Sequence, residues 1–522
     1  MSATTAWEEL VTSALLGTDR RPPRYGTPAL LDSAALHTVR RRAGLLPAPA
    51  AARPAAAPHD HRPEPPAAAR RRLAQLLADR AGPAGSGGRR GATPDLTELL
   101  PQWLTTAGQL GYRAPASLLD ALLDAARART DLRSQALAFA GPRGLWLAGL
   151  NPEWKFALRG TAGAAVLPST ADAGAVRRLW EEGLFAERVA LLGALRSELP
   201  GAGLDLLATT WQAERAEDRL MFLDSLRTGL TDADEPFLEQ ALADRSRNVR
   251  ATAAELLSAL PRSALAGRMA VRAMTCVGLD RTDHRARITV EAPHECDAAM
   301  QRDGVPPVPP AGRGERSWWL GHVVEAAPLT VWSGVLGGRT PQQIVGLPVT
   351  DGWEEELHAA WCRAAVRQGD AAWSRALLAG PGTTSLAERA RLLATLPDGE
   401  RAGSVAVFVA GHGLSEAFQL LSVCEVPWAE PLGRAVVDAL EIARDAGSYP
   451  WSFSGVMGLA ERCLDPAEAR RLEVLTAIPD EAEGGAPGAG GYWSEAFQRL
   501  VSTLRLRAAM REELAGAAQT GP

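Results

Sequence analysis

At 522 residues the chain is too long for one compact core, so three or four domain-sized units compete with one elongated repeat array. Hydrophobic residues at 46% and charged residues at 22% describe an ordinary globular protein, dominated by the helix formers Leu and Ala. Its 56 basic and 61 acidic residues leave a formal charge of −5, which excludes a global field drawing it to nucleic acid or anionic lipid.

Trp7 to Leu16 reads as a short amphipathic helix closed by Gly17, and Pro28 to Gly44 as a second, with Arg40, Arg41 and Arg42 suited to its C-terminal dipole. No stretch approaches the roughly 18 apolar residues of a membrane span, and Met1 to Leu16 lacks a signal-peptide pattern. The five cysteines show no C-x-x-C spacing, so a reduced, cytoplasmic chain without disulfides is expected. From Pro47 to Pro66, Ala and Pro leave too little apolar surface to offset ordering, which predicts a flexible linker. A helix at Ala67 to Ala81 and a Gly-rich patch to Thr93 follow. Helices resume at Leu96, and the turn residues of Gly141 to Trp154 predict a tightly specified loop.

Between Glu187 and Pro261 the helices repeat. Arg188, Arg219 and Arg250 stand 31 residues apart, as do Leu192, Leu223 and Ala254, and Leu195, Leu226 and Leu257. The unit with Asp244 before the turn and Val249-Arg250 opening the next helix resembles a HEAT repeat, whose Asp and Arg form ladders between neighbours. Ala213 stands where the preceding Asp would fall, so a partial ladder is expected.

Ala286, Ile288 and Val290 alternate as in a strand, and Val305 to Pro310 reads as polyproline. Helices are then expected from Ser317, from Trp353 to Leu378, and at Leu386 to Leu396, Ser415 to Cys424, Pro431 to Ala446 and Trp493 to Leu514. The expected fold is mainly α, a HEAT-like solenoid with a small β-containing insertion. Its divisions are N-terminal helices at 1–46, a linker with one helix at 47–93, a repeat domain at 94–275, a strand and polyproline joint at 276–316, and a helical domain at 317–522.

The segments Trp7 to Arg20, Gly141 to Trp154, Arg302-Asp303-Gly304, Gly314 to Leu320 and Tyr492 to Arg507 together resemble a bacterial family of uncharacterised proteins, a domain of unknown function. The resemblance covers most of the chain. It implies helical interaction proteins, often encoded beside a MoxR-type AAA ATPase and a von Willebrand factor A protein. It brings no catalytic residues.

Cys276, His284, His294 and Cys296 could supply tetrahedral zinc, but their spacings match no common zinc module, and buried thiols with surface imidazoles explain them better. His59 and His61 lack a further ligand nearby. No Walker motif, no G-x-S-x-G and only one lysine, Lys155, are present, so no cofactor, metal or catalytic group is assigned. The tryptophans are expected to wedge between packed helices rather than to serve as stacking platforms. The candidate interaction or loop-organising residues are Asp19, Arg20, Arg143, Trp146, Trp154, Arg302, Asp303, Trp318 and Trp319. The function expected is a non-enzymatic scaffold or adaptor for protein partners, with no membrane association. The alternative is a HEAT-like nucleic-acid-binding protein or base-excision glycosylase, which the near-neutral charge disfavours.

Overall fold

The structure, a computed structural model, describes residues 3–22, 28–43, 54–78, 93–160, 168, 170, 172–282, 286–380, 385–478 and 486–516. It divides into two compact units, residues 1–58 and 59–522. In the first, α1 (Ala3–Leu16) packs on α2 (Pro28–Arg42), with the Arg41 guanidinium 4.8 Å from the centre of the Trp7 ring. Gly17 ends α1 at φ +84°, a left-handed turn that a side chain would resist. Among the described residues, no helix is long and apolar enough to cross a membrane.

The second unit begins with a helical module of α3 (Ala67–Ala78), α4 (Leu96–Gln109), α5 (Leu119–Ala128), α6 (Arg133–Leu150) and α7 (Lys155–Gly160). The Asp95 carboxylate accepts the Thr97 amide at the start of α4, and Leu99, Leu100, Trp103 and Leu104 then turn inward against Leu73, Leu122 and Phe139. Where the sequence predicts a loop, the chain stays helical as far as Leu150, bent at Gly141 (φ +60°, ψ −157°). Pro142 has no N–H to give the Ala138 carbonyl. Arg62 supplies the missing donor, its Nη1 lying 2.9 Å from that oxygen, while Asp60 accepts from Arg62 Nε and Nη2 at 3.0 and 2.7 Å.

Pro47 to Pro66 is the stretch read as a flexible linker, and the clasp belongs to its described part. Hydrogen bonds, rather than apolar burial, hold residues 60–62 in place, and Pro65 is buried beside them. Residues 44–53 lie outside the described set.

The repeats comprise α8 (Ala173–Glu182), α9 (Phe185–Glu198), α10 (Pro200–Thr210), α11 (Ala216–Ser225), α12 (Glu235–Ala241), α13 (Arg247–Ser258) and α14 (Ala264–Cys276). Helix α9 packs on α11 and α11 on α13, with α10 and α12 as hairpin partners of α9 and α13. All six hydrophobic positions of the 31-residue register are buried in one core.

The arginine column forms a fuller ladder than Ala213 suggests, because Glu214, one residue on, takes the carboxylate's place. Arg188 pairs with Glu214. Arg219 lies 2.8 Å from Asp244 and donates to the Glu214 carbonyl at 2.6 Å, and Arg250 donates to the Asp244 carbonyl at 2.7 Å. Beneath the first two rungs lie Trp180 and Trp211, with ring centres 4.4 and 5.7 Å from their guanidinium carbons.

After α14, β1 (Val277–Asp280) and β2 (Arg287–Val290) pair antiparallel, Leu279 opposite Ile288. Ile288 and Val290 face the core, as their alternation predicts. The next helix, α15 (Ala298–Arg302), leads to Asp303, whose side chain is 0% exposed and is held by Arg268 (2.9 Å), Arg272 (2.7 Å) and Arg302 (3.1 Å). Burial alone would raise the Asp303 pKa, but hydrogen bonds and charge from Arg268 and Arg272 outweigh it and hold the carboxyl below its ordinary range. Gly304 follows at φ +93°, where a Cβ would lie 2.3 Å from that of Ala254. In α16 (Glu315–Ala326), Trp319 Nε1 donates to the Pro307 carbonyl at 3.2 Å, tying the proline segment to the helix. The hairpin, α15 and α16 share the core of the repeats, so that core does not break at residue 275.

The chain continues through α17 (Val331–Val335), α18 (Pro341–Val345), α19 (Glu354–Gln368), α20 (Ala371–Ala379), α21 (Leu386–Ala394), α22 (Asp398–His412) and α23 (Leu414–Leu421). It ends with α24 (Glu430–Asp445), α25 (Ser454–Cys463), α26 (Ala469–Leu472) and α27 (Ala489–Ala515). Contacts run from α16 to α19, α21, α23, α25 and α27 in turn. The last helix then packs on α3 and α4, burying Met510 and Leu514 in the core of the first module. Arg72 pairs with Glu513 at 2.7 Å, and the Tyr112 hydroxyl donates to the Leu514 carbonyl at 3.0 Å. The module formed first in sequence thus covers the last helix of the stack.

Candidate functional site

Between α13 and the helices α16, α19 and α21 lies an open groove of ≈550 Å³. Its apolar floor is Leu230, Leu256, Ala259, Cys362 and Val366, and its charged lining comes from helices more than a hundred residues apart in sequence. Periodicity places these charges. Each repeat turns its apolar stripe to the core, leaving Glu255 on the opposite side of α13 and Arg363 and Arg367 one turn apart on α19.

On one wall, Arg227 donates to Glu255 through Nη1 and Nη2, both at 2.9 Å, and through Nε to Asp224 at 2.7 Å. The hydrogen bonds that Arg227 donates to Glu255, and then to Asp224, raise its pKa. On the other, buried Glu325 accepts Arg363 Nε at 2.5 Å and pairs with Arg367. Burial would raise the Glu325 pKa, yet Arg367 and Arg363 together hold it below the ordinary carboxylate range. Glu388 and Arg391 complete the lining from α21. Among the described residues, Arg391 makes no ion pair, and it is exposed.

Chemically, the groove offers fixed guanidinium and carboxylate groups above an apolar floor. Burial pushes the Cys362 thiol up to about 12, so it stays protonated and is a poor nucleophile. The arrangement suits recognition of a surface carrying both signs of charge.

None of the nine sequence-predicted residues lines this groove. Asp19 and Arg20 are exposed in the turn after α1, where the Arg20 amide donates to the Gly17 carbonyl at 3.2 Å. Arg143 and Trp146 are half-buried on the second segment of α6, rather than in a loop. Trp154 is buried and donates through Nε1 to Asp124 at 3.0 Å. Arg302 and Asp303 meet in the three-arginine clasp, and Trp319 packs in the same large core. Trp318 sits edge-on to His322, ring centres 4.4 Å apart, and its buried Nε1 has no hydrogen-bond partner among the described residues. The structure therefore gives most of these residues packing and loop-fixing positions. The groove residues escaped sequence reasoning because they read as ordinary solvated helix faces; Asp224 and Glu255, 31 residues apart like the arginines, were the one periodic trace of them.

Of the four residues weighed as zinc ligands, His284 lies outside the described residues, and among the described residues no three His, Cys, Asp or Glu side chains are grouped so as to hold a metal ion. Burial raises the pKa of both Cys276 and Cys296.

No curated protein and no solved structure matches this chain. The model of a family of unknown function, DUF5691, matches residues 9–514, and the chain belongs to that family.

Proposed function

We propose that the protein is a non-enzymatic, cytoplasmic helical-repeat scaffold of HEAT-like type, which receives a protein partner in the groove between α13 and α21. The observation that carries this reading is the mixed-charge lining, with Arg391 exposed and, among the described residues, without an ion pair beside the fixed Arg363–Glu325–Arg367 cluster. Such a lining selects a partner by charge complementarity and register. Alternation of charge tells against a continuous phosphate track, which would need guanidinium groups unopposed by carboxylates.

The gene neighbourhood implied by the family resemblance makes a MoxR-type AAA ATPase and a von Willebrand factor A protein the first partners to test. In affinity capture of the full chain from native lysate, a reproducible protein partner is expected, and Arg391→Glu should weaken its retention about tenfold or more. Absence of any reproducible partner, or unchanged capture by the variant, would overturn this reading.

A further inference from the structure

Away from the groove, where α25 meets α27, a second pocket of ≈350 Å³ is lined by Pro450, Trp451, Met457, Tyr492, Glu495 and Arg499, among others. All 15 tryptophans lie among the described residues, and Trp451, 55% exposed, is the only one of them largely open to solvent. An indole more than half open to solvent forgoes much of the gain of burial, yet this one is held against two tyrosine rings. Tyr449 stacks on it with ring centres 4.0 Å apart and planes at 17°, and Tyr492 meets it edge-on at 5.3 Å and 64°. The Tyr449 hydroxyl donates to the Pro487 carbonyl at 3.2 Å, anchoring the stack to the chain before α27.

Charge in this pocket is unbalanced. Glu461 is neutralised by Arg499 at 2.7 Å. Glu495, on the exposed side of α27 and three residues after Tyr492, makes no ion pair among the described residues. The pocket thus combines a rigid, electron-rich aromatic surface with one uncommitted carboxylate. A planar cation satisfies both, its face against the indole and its N–H groups on the carboxylate.

We propose that this pocket binds an arginine side chain of a partner polypeptide, the guanidinium stacking on Trp451 and donating to Glu495. Arginine fits better than lysine because its flat, weakly hydrated fork stacks and hydrogen-bonds together. Ser454 and Gly458, small residues on the α25 side, leave room for the aliphatic stem. The pocket and the charged groove share no lining residue, so either assignment can fail alone.

The test uses the full chain and a fluorescein-labelled peptide of alternating glycine and arginine, read by fluorescence anisotropy. Counterparts carry citrulline, lysine or proline in place of arginine. Saturable binding is expected, with citrulline weakening it about tenfold and lysine by less. Trp451→Ala and Glu495→Gln should each weaken it roughly three- to tenfold, from the cation–π and carboxylate contributions. Both positions are exposed, and unchanged thermal melting would show that each variant folds. Arg391→Glu, in the groove, should leave peptide binding intact. No saturable binding, equal binding of the citrulline peptide, or indifference to both pocket variants would overturn the proposal. Tighter binding of the proline peptide would reassign the pocket to an uncharged extended segment.

Discussion

Arg196 and Asp234 are both almost wholly removed from solvent, paired at 2.7 Å, and Arg196 also donates to the carbonyls of Pro200, Thr228 and Gly229. A guanidinium so placed satisfies carbonyls at the start of α10 and in the turn after α11 at once, and losing its carboxylate strands a buried charge. Asp234→Asn should therefore cost about 3–5 kcal/mol in urea unfolding. A loss near zero would show that water reaches the pair. His358 and His322 carry a pH signature. Burial holds both below the ordinary value of 6.5, outweighing the opposing charge of Glu354 on His358 and of Glu325 on His322. The unfolded chain binds protons that these rings refuse in the fold, so their contribution is complete above about 6.5 and declines as pH falls below it. Asp303 and Glu325, held low by arginines, lose theirs only at more acid pH, as it falls through their depressed values. Thermal midpoints should drop between about pH 7.5 and about pH 5.5, and His358→Phe should shrink that drop; an unchanged slope would remove His358 from the account.

At the scale of single elements, α6 shows how a broken helix is sustained. Its bend needs Gly141 at φ +60°, where a Cβ would lie 2.3 Å from Arg62 Nη2, so Gly141→Ala should destabilise by about 1–3 kcal/mol in chemical denaturation. Arg62→Ala, which leaves the Ala138 carbonyl unpaired, should cost about 1–3 kcal/mol. If both variants melt like the parent, the clasp is incidental. Nothing in the sequence around His59 announces this contact, because its partner lies 76 residues away. The same limit hid α22. Val405, Val407 and Val409 alternate, and Gly399, Gly403 and Gly411 disfavour helix, yet Ala402, Val405 and Val409 are buried along one helical face. Packing against α23 and α24 outweighs local preference there. By contrast, the spacing from Val249 to Leu260, the cap at Gly17 and the face of β2 were legible, since each depends on neighbours in sequence. The groove and the Trp451 pocket were not, for each is assembled from helices that only the fold brings together.

Across the large unit, stability is not the sum of neighbouring hairpins, because α27 closes on the module that begins at α3. Removing residues 505–522 would uncover the sites of Met510 and Leu514 and delete Glu513. Amides of α3 and α4 should then exchange roughly a hundredfold faster or more, from the loss of about 3–5 kcal/mol of apolar burial. Unaltered exchange in that module would mean that it stands without the C-terminal helix. The closure also sets a clock on biosynthesis. Arg72 precedes its partner Glu513 by 441 residues, and at about 5–20 residues per second the ribosome needs roughly 20–90 seconds to supply it. For that interval the apolar side of α3 and α4 has no final cover, so the nascent chain, rather than the finished molecule, is the state most exposed to aggregation and most in need of a chaperone.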